Sequence, residues 1–133
     1  KYDKNIYIAT ASYWDFAMQE INDWRESDLG GINHACEMET ALMLHMQEEI
    51  VKKDNIIDNP LKRSNYTGVD LLSGGAVGVS ASFKELSDHG VIGSPSLASK
   101  EKGTELFETI TDKISDFILD FSKWTKPLNG KNE

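Results

Sequence analysis

His34, Cys36, Glu37 and Glu39 stand within six residues of one another, in the run "GGINHACEMETALML" that spans residues 30–44. Imidazole, thiol and carboxylate are the side chains that bind zinc. They also carry protons at a reacting centre, and a thiol at a helix start is a candidate nucleophile. Directly after them comes the apolar run Ala41–Leu44. Charge at the mouth of an apolar helix has a plainer use as well, because carboxylates in a first turn complement the helix dipole. The stretch is thus a catalytic corner, a metal site, or a helix start with an acidic first turn.

Spacing argues against a metal site made by this stretch alone. On a helix His34 faces Glu37 and Met38, while Cys36 and Glu39 point elsewhere. An H-x-E zinc deaminase needs a later P-C-x-x-C, and Cys36 is the sole cysteine. No H-E-x-x-H occurs, and His45 follows three helical turns after His34. Acidic neighbours oppose a reactive Cys36 thiolate, so a small packed thiol is the simpler reading. "GGAVGVS" and "GVIGSPS" match neither common phosphate loop. Trp24 reads as core.

The elements that must hold this stretch follow from the flanking pattern. "NIYIATA", Asn5–Ala11, is short, β-branched and apolar on both faces, which predicts a buried parallel strand. Ser12 is placed to cap a helix from Tyr13 to about Arg25, with Trp14, Ala17, Met18, Ile21 and Trp24 at helical spacing. Glu26–Gly31 is a break. A second helix is expected from His34 or Ala35 to Lys53. Residues 53–70 read as irregular, with a stop at Asn59-Pro60. Leu71–Ser82 reads as loop plus one short strand, and Asp88–Ser99 as loop. Ser99 caps a last helix, Lys100 to about Lys123, with Leu106, Phe107, Ile110, Ile114, Phe117, Ile118 and Phe121 marking one apolar face. Gly103 early in that helix costs roughly 1 kcal/mol against alanine, so it signals close packing or a frayed turn. A lone interior strand cannot make a sheet, so the chain reads as part of a larger α/β sheet.

Composition narrows the function. The chain has 133 residues, one domain's worth, and a net charge of −8 from 22 acidic and 14 basic side chains. That is no nucleic-acid footprint, and there is no polybasic run for a membrane. A single cysteine, no signal-peptide pattern and no run of about 20 apolar residues make the cytoplasm the expected compartment.

Three ordered motifs, "SYWDF" (Ser12–Phe16), "HACEMETALML" (His34–Leu44) and "SLASKEKG" (Ser96–Gly103), carry a resemblance. The chain resembles the second half of the creatininase family, also called creatinine amidohydrolases, from about Ile6 to Phe121. The family shows a strand running into "SYWDF", an "H-A-G-E-x-E-T-S" helix and an "A-S/T-x-E-K-G" helix start. The resemblance implies the C-terminal part of a three-layer α/β/α fold with a mainly parallel sheet. It implies a metal-dependent hydrolase of a small cyclic amide or related ring, using divalent ions, Zn2+ or Mn2+, in a homo-oligomer, often a hexamer. His34 matches the family's acid/base histidine, and Glu39 a site glutamate close to the metals. Trp14 matches a tryptophan that covers substrate. Gly30 and Gly31 fall where creatininase has a Trp-Asp pair that holds the creatinine ring, which argues against creatinine.

The family's metal motifs, resembling "E-x-H-G-x-H-L-P" and "N-G-H-G-G-N", do not occur in these residues. The expectation is therefore that residues 1–133 are the C-terminal half of a hydrolase domain. An N-terminal half then holds the metals, and no residue of this chain is assigned as a metal ligand. The alternative is a non-catalytic subunit or remnant that keeps the fold and oligomer contacts. Retention of a buried His34–Glu39 corner favours the enzyme.

Overall fold

A computed structural model of the chain describes residues 7–62 and 66–124. A 3-10 turn, Tyr13–Ala17, runs into helix α1, Met18–Trp24. Helix α2 is Glu37–Gln47. A long irregular stretch follows, interrupted by short 3-10 turns at Glu48–Ile50, Lys53–Asn55 and Pro95–Leu97 and by the one-turn helix α3, Phe83–Leu86. Helix α4, Lys100–Phe121, closes the order. No described helix is long and apolar enough to cross a membrane.

The expected α/β sheet is not there. No strand is found among the described residues, and the only pairings are isolated bridges such as His34 with Ile92 and Asn59 with Gly93. Asn5 and Ile6 of the expected first strand lie outside the described residues. Tyr7–Ala11 carries no secondary structure, and Ile8 is 86% exposed rather than buried. The physical reason is that β-branched composition selects a strand only where a neighbouring strand supplies the hydrogen-bond ladder. No described segment does so. The short strand expected within Leu71–Ser82 fails in the same way: Ser73 and Val77 make single bridges only. The parallel-sheet, three-layer reading is therefore replaced by a helical one.

The helices bury most but not all of what the apolar spacing promised: Met18, Phe107 and Ile118 are exposed. Ala17 and Ile21 from the first helical segment, Met38 and Leu42 from α2, and Leu106 and Ile110 from α4 bury together with Ile32 and Cys36 as one core. Ser99 caps α4, its hydroxyl accepting from the Lys102 amide at 3.2 Å. The helix expected from His34 or Ala35 starts later, at Glu37. Ala35 takes φ +49°, a left-handed conformation that a helix cannot contain. It also ends at Gln47 rather than Lys53.

Gly103 resolves in favour of close packing. A Cβ built there would lie 1.9 Å from the Ala41 carbonyl oxygen of α2. The two helices therefore touch backbone to backbone at this point. Alanine gains helix propensity of about 1 kcal/mol but must force the helices apart. Gly103→Ala is expected to lower stability by roughly 1–3 kcal/mol net of that gain, the scale of core overpacking. A urea titration checks it, and a variant as stable as the parent would mean the helices do not meet there.

Candidate functional site

Two buried carboxylates build the platform beneath the opening run. Glu37, the first residue of α2, is fully buried. Its carboxylate accepts from the Glu26 amide at 3.0 Å, from the Ser27 amide at 3.0 Å, and from the Lys102 ammonium. Burial alone would raise its pKa. The Lys102 hydrogen bond and the two amides outweigh that and hold the group below its usual range. Asp70 is the second. It accepts from Arg25 at 2.8 Å, from the Gly30 amide at 2.9 Å, and from the Leu72 amide at 3.1 Å. The loop between α1 and α2 is thus pinned from both ends.

Gly30 and Gly31 belong to that platform. Both are buried. Gly30 has φ +98°, and a Cβ on it would sit 2.1 Å from the Leu61 carbonyl oxygen; one on Gly31 would meet the Ser27 Cβ at 2.4 Å. There is no room here for side chains, and neither residue lines a cleft beside His34.

His34 comes next. Its amide donates to Ile92 O at 2.8 Å, and its carbonyl accepts from the Ile92 amide at 2.8 Å. The backbone is clamped, yet the imidazole is exposed, touching the Phe83 ring edge-on at 4.9 Å. The buried corner expected at His34 and Glu39 is corrected on this point. The buried acid is Glu37, and His34 faces outward. Ala35, strained at positive φ, donates its amide to Glu39 Oε2 at 2.5 Å. Glu39 thereby holds the turn that presents His34.

His34, Ala35, Glu39, Thr40 and Met43 line a cleft of about 390 Å³. Glu39 also lines a second, apolar groove of about 410 Å³ between α2 and α4, with Tyr13 at its edge. Burial pushes the Tyr13 phenol up to about 12, aided by the negative charge of Glu39 and by nearby Cys36. Tyr13 is therefore a neutral donor in the lining of the groove it shares with Glu39. Trp14 packs edge-on against Tyr13 at 4.9 Å and is half-buried on the core; it lines neither cleft. Cys36 is buried in the core, and burial raises its pKa, which suits packing rather than nucleophilic attack. The structure thus brings together His34, Glu39 and, through Glu39, Tyr13. It sets Trp14 behind Tyr13, and Gly30 and Gly31 beneath the loop. Tyr13 escaped notice in the sequence because its neighbour Trp14 carried the motif. Asp70 had no local signal at all.

A family model described as "Creatininase: Creatinine amidohydrolase" matches residues 1–118. The chain belongs to the creatininase family. No curated protein and no solved structure matches it. Membership supports a metal-dependent, amidohydrolase-like activity. The donors present do not themselves fit a metal: among the described residues no group of three or more His, Cys, Asp or Glu side chains converges. Glu37 and Asp70 are already saturated by amides and cations.

The Glu37 network predicts acid lability. Its folded pKa lies below the unfolded value of about 4.3. Its contribution is therefore complete above that pH and is lost as pH falls through the folded pKa. Glu48 is also held low, at about 2, by hydrogen bonds from Lys53 and Lys100, but it sits at the surface where salt screens it. Urea midpoints measured against pH in high salt should fall in acid for the parent and less steeply for Glu37→Gln. Glu37→Ala should cost on the order of 3–5 kcal/mol at neutral pH, as for a broken buried pair. A flat acid profile in the parent, or a loss under 1 kcal/mol, would remove Glu37 from this role.

Proposed function

We propose that this chain supplies the proton-transferring part of a metal-dependent amidohydrolase acting on a small cyclic amide or related ring. The observation that carries the reading is His34: an exposed imidazole on a backbone clamped at both N–H and C=O, over a cleft shared with Glu39. An imidazole so placed can accept a proton from an attacking water and return it to a leaving nitrogen. Glu39 fixes the turn beneath it and leaves carboxylate capacity at the cleft for a substrate N–H. The metal, Zn2+ or Mn2+, belongs in this reading to an N-terminal half of the same protein, because the donors described here do not converge on one. No step through it is derived. The working form is a homo-oligomer in the cytoplasm, where a lone buried thiol stays reduced.

Creatinine is not the substrate in this reading. The Trp-Asp pair that would hold its ring is replaced by Gly30 and Gly31, and the packing there admits no larger side chain. The chain co-expressed with its N-terminal half and loaded with Zn2+ or Mn2+ should hydrolyse small lactams or imides but turn over creatinine poorly. Creatinine hydrolysis with kcat on the order of 1–10³ s⁻¹ would refute this.

In the same assembly His34→Ala should lower kcat by about 10²–10⁴-fold with metal content and melting temperature unchanged, since the ring is exposed. His45→Ala is the contrasting control. His45 Nδ1 lies 2.9 Å from Thr104 Oγ1 between α2 and α4, so its loss should lower stability by about 0.5–1.5 kcal/mol and leave kcat unchanged. Full activity in an assembled, metal-loaded His34→Ala enzyme would end the acid/base assignment.

A further inference from the structure

The groove between α2 and α4 is not used by the reading above. Tyr13, Glu39, Met43, Met46, Phe107 and Ile110 are among the residues that line it. Its volume of about 410 Å³ falls in the range of small-molecule pockets, about 300–1,000 Å³. Two further observations say what would fit. The first is continuity: Glu39 and Met43 line this groove and also the cleft at His34. A molecule held at His34 can therefore extend into the groove. The second is polarity. Of its lining residues Glu39, Tyr13 and Thr111 carry polar side-chain atoms, the Thr111 hydroxyl being already donated to Phe107 O at 2.6 Å, while the rest are Leu, Met, Phe and Ile. Among the described residues no cation lies within ion-pair distance of Glu39, and the hydrogen bond recorded on it is the Ala35 amide on Oε2. Oε1 is left to accept an N–H.

We propose that this groove binds the apolar substituent of the ring substrate, with a ring N–H donated to Glu39 and the scissile amide toward His34. The substrate class is thereby narrowed to a lactam or imide carrying a hydrophobic arm. This rests on the hydrolase reading and deepens it. Flexible Met43 and Met46 suit an arm of variable shape, and Tyr13, held neutral, offers a donor to a ring carbonyl. Beyond Glu39 and Tyr13 the lining offers one hydroxyl, Thr111, whose proton is already donated to Phe107 O, so the ring, not the arm, sets the orientation.

Benzylhydantoin is a suitable probe, compared with unsubstituted hydantoin and with the fully N-methylated benzyl derivative. Ligand-observed NMR titration of the full chain should show saturable binding of benzylhydantoin. Each of the other two should bind about tenfold more weakly, the loss expected for an unburied ring or one missing hydrogen bond. Met46 is 50% exposed and Phe107 38% exposed, so Met46→Glu and Phe107→Ser should weaken binding by a similar factor without changing the circular dichroism. Failure of benzylhydantoin to bind overturns the groove assignment, as do two groove variants that bind normally. So does sedimentation showing that a second copy of the chain blocks the groove. The two readings separate cleanly. Turnover of plain lactams without groove binding sinks the groove alone. Groove binding with no turnover in the metal-loaded assembly supports the groove as a site and counts against the hydrolase.

Discussion

The carboxylate of Glu37, buried with no exposure to water, is the point on which the rest of the structure depends. An unpaired charge there would cost several kcal/mol, so its partners must be in place whenever the chain is folded. Those partners come from two other segments, the Glu26 and Ser27 amides after α1 and Lys102 in the first turn of α4, while Glu37 itself starts α2. Satisfying one charge therefore docks three elements. Lys102 is held in turn by the Trp24 ring, 4.6 Å from its ammonium, while Trp24 donates its indole N–H to the Lys102 carbonyl at 3.2 Å. Gly103 follows at once and lets the α4 backbone meet the Ala41 carbonyl. A side chain there would move Lys102 away from Glu37 as well as parting the helices.

His34 inherits its position from this arrangement through the loop before α2. Asp70 gathers Arg25, Gly30 and Ile32, the last at 3.3 Å. Ile32 O then accepts from Leu71 N at 2.9 Å, and Gly31 O from Ser94 N at 3.0 Å. The chain reaches His34 with its direction already set, and the pairing with Ile92 completes the hold. What remains is a sharp change of course into α2, taken up by Ala35 at φ +49°. A non-glycine residue in that region costs of order 1–3 kcal/mol and persists only where its surroundings over-determine it. Here the Glu39 hydrogen bond does so.

The helical part of this design was legible in the residues. α4 begins at the serine that spacing marked as its cap, and its buried positions are those of the apolar face. Gly103 signalled close packing or a frayed turn, and the Ala41 carbonyl beside it decides for packing. The sheet was not legible, because "NIYIATA" describes side chains that would suit a strand, whereas a strand is made by its neighbour's backbone. The start of α2 was misplaced by about one turn because nothing in His34-Ala35-Cys36 reveals a left-handed alanine; only the loop pinned by Asp70 and the pairing with Ile92 require it. Asp70 itself lies 38–45 residues from the groups it organises, and an isolated acid in a polar segment carries no local sign of such a role. The His34 imidazole was singled out for its chemistry, but its exposed placement depends on Ile92 and Phe83, which are distant in the chain.

The acidic pair of "CEMET" serves two purposes at once. Residues two apart on a helix point roughly 200° from one another, since each step turns about 100°. Glu37 and Glu39 therefore cannot serve the same neighbourhood. Glu37 turns inward and becomes the anchor of three segments. Glu39 turns outward to both clefts, held by the strained Ala35 amide. The stretch is a helix start and a candidate site at once, one carboxylate for each. The division has a consequence for substitutions. Removing Glu37 should be felt first as lost folding and only then as lost function. Removing Glu39 strips the outward face and also frees Ala35, so His34 loses its presentation while the core beneath stays whole. An exchange of either acid for its amide separates charge from shape: the inward position needs the charge that Lys102 answers, the outward one an acceptor aimed at Ala35.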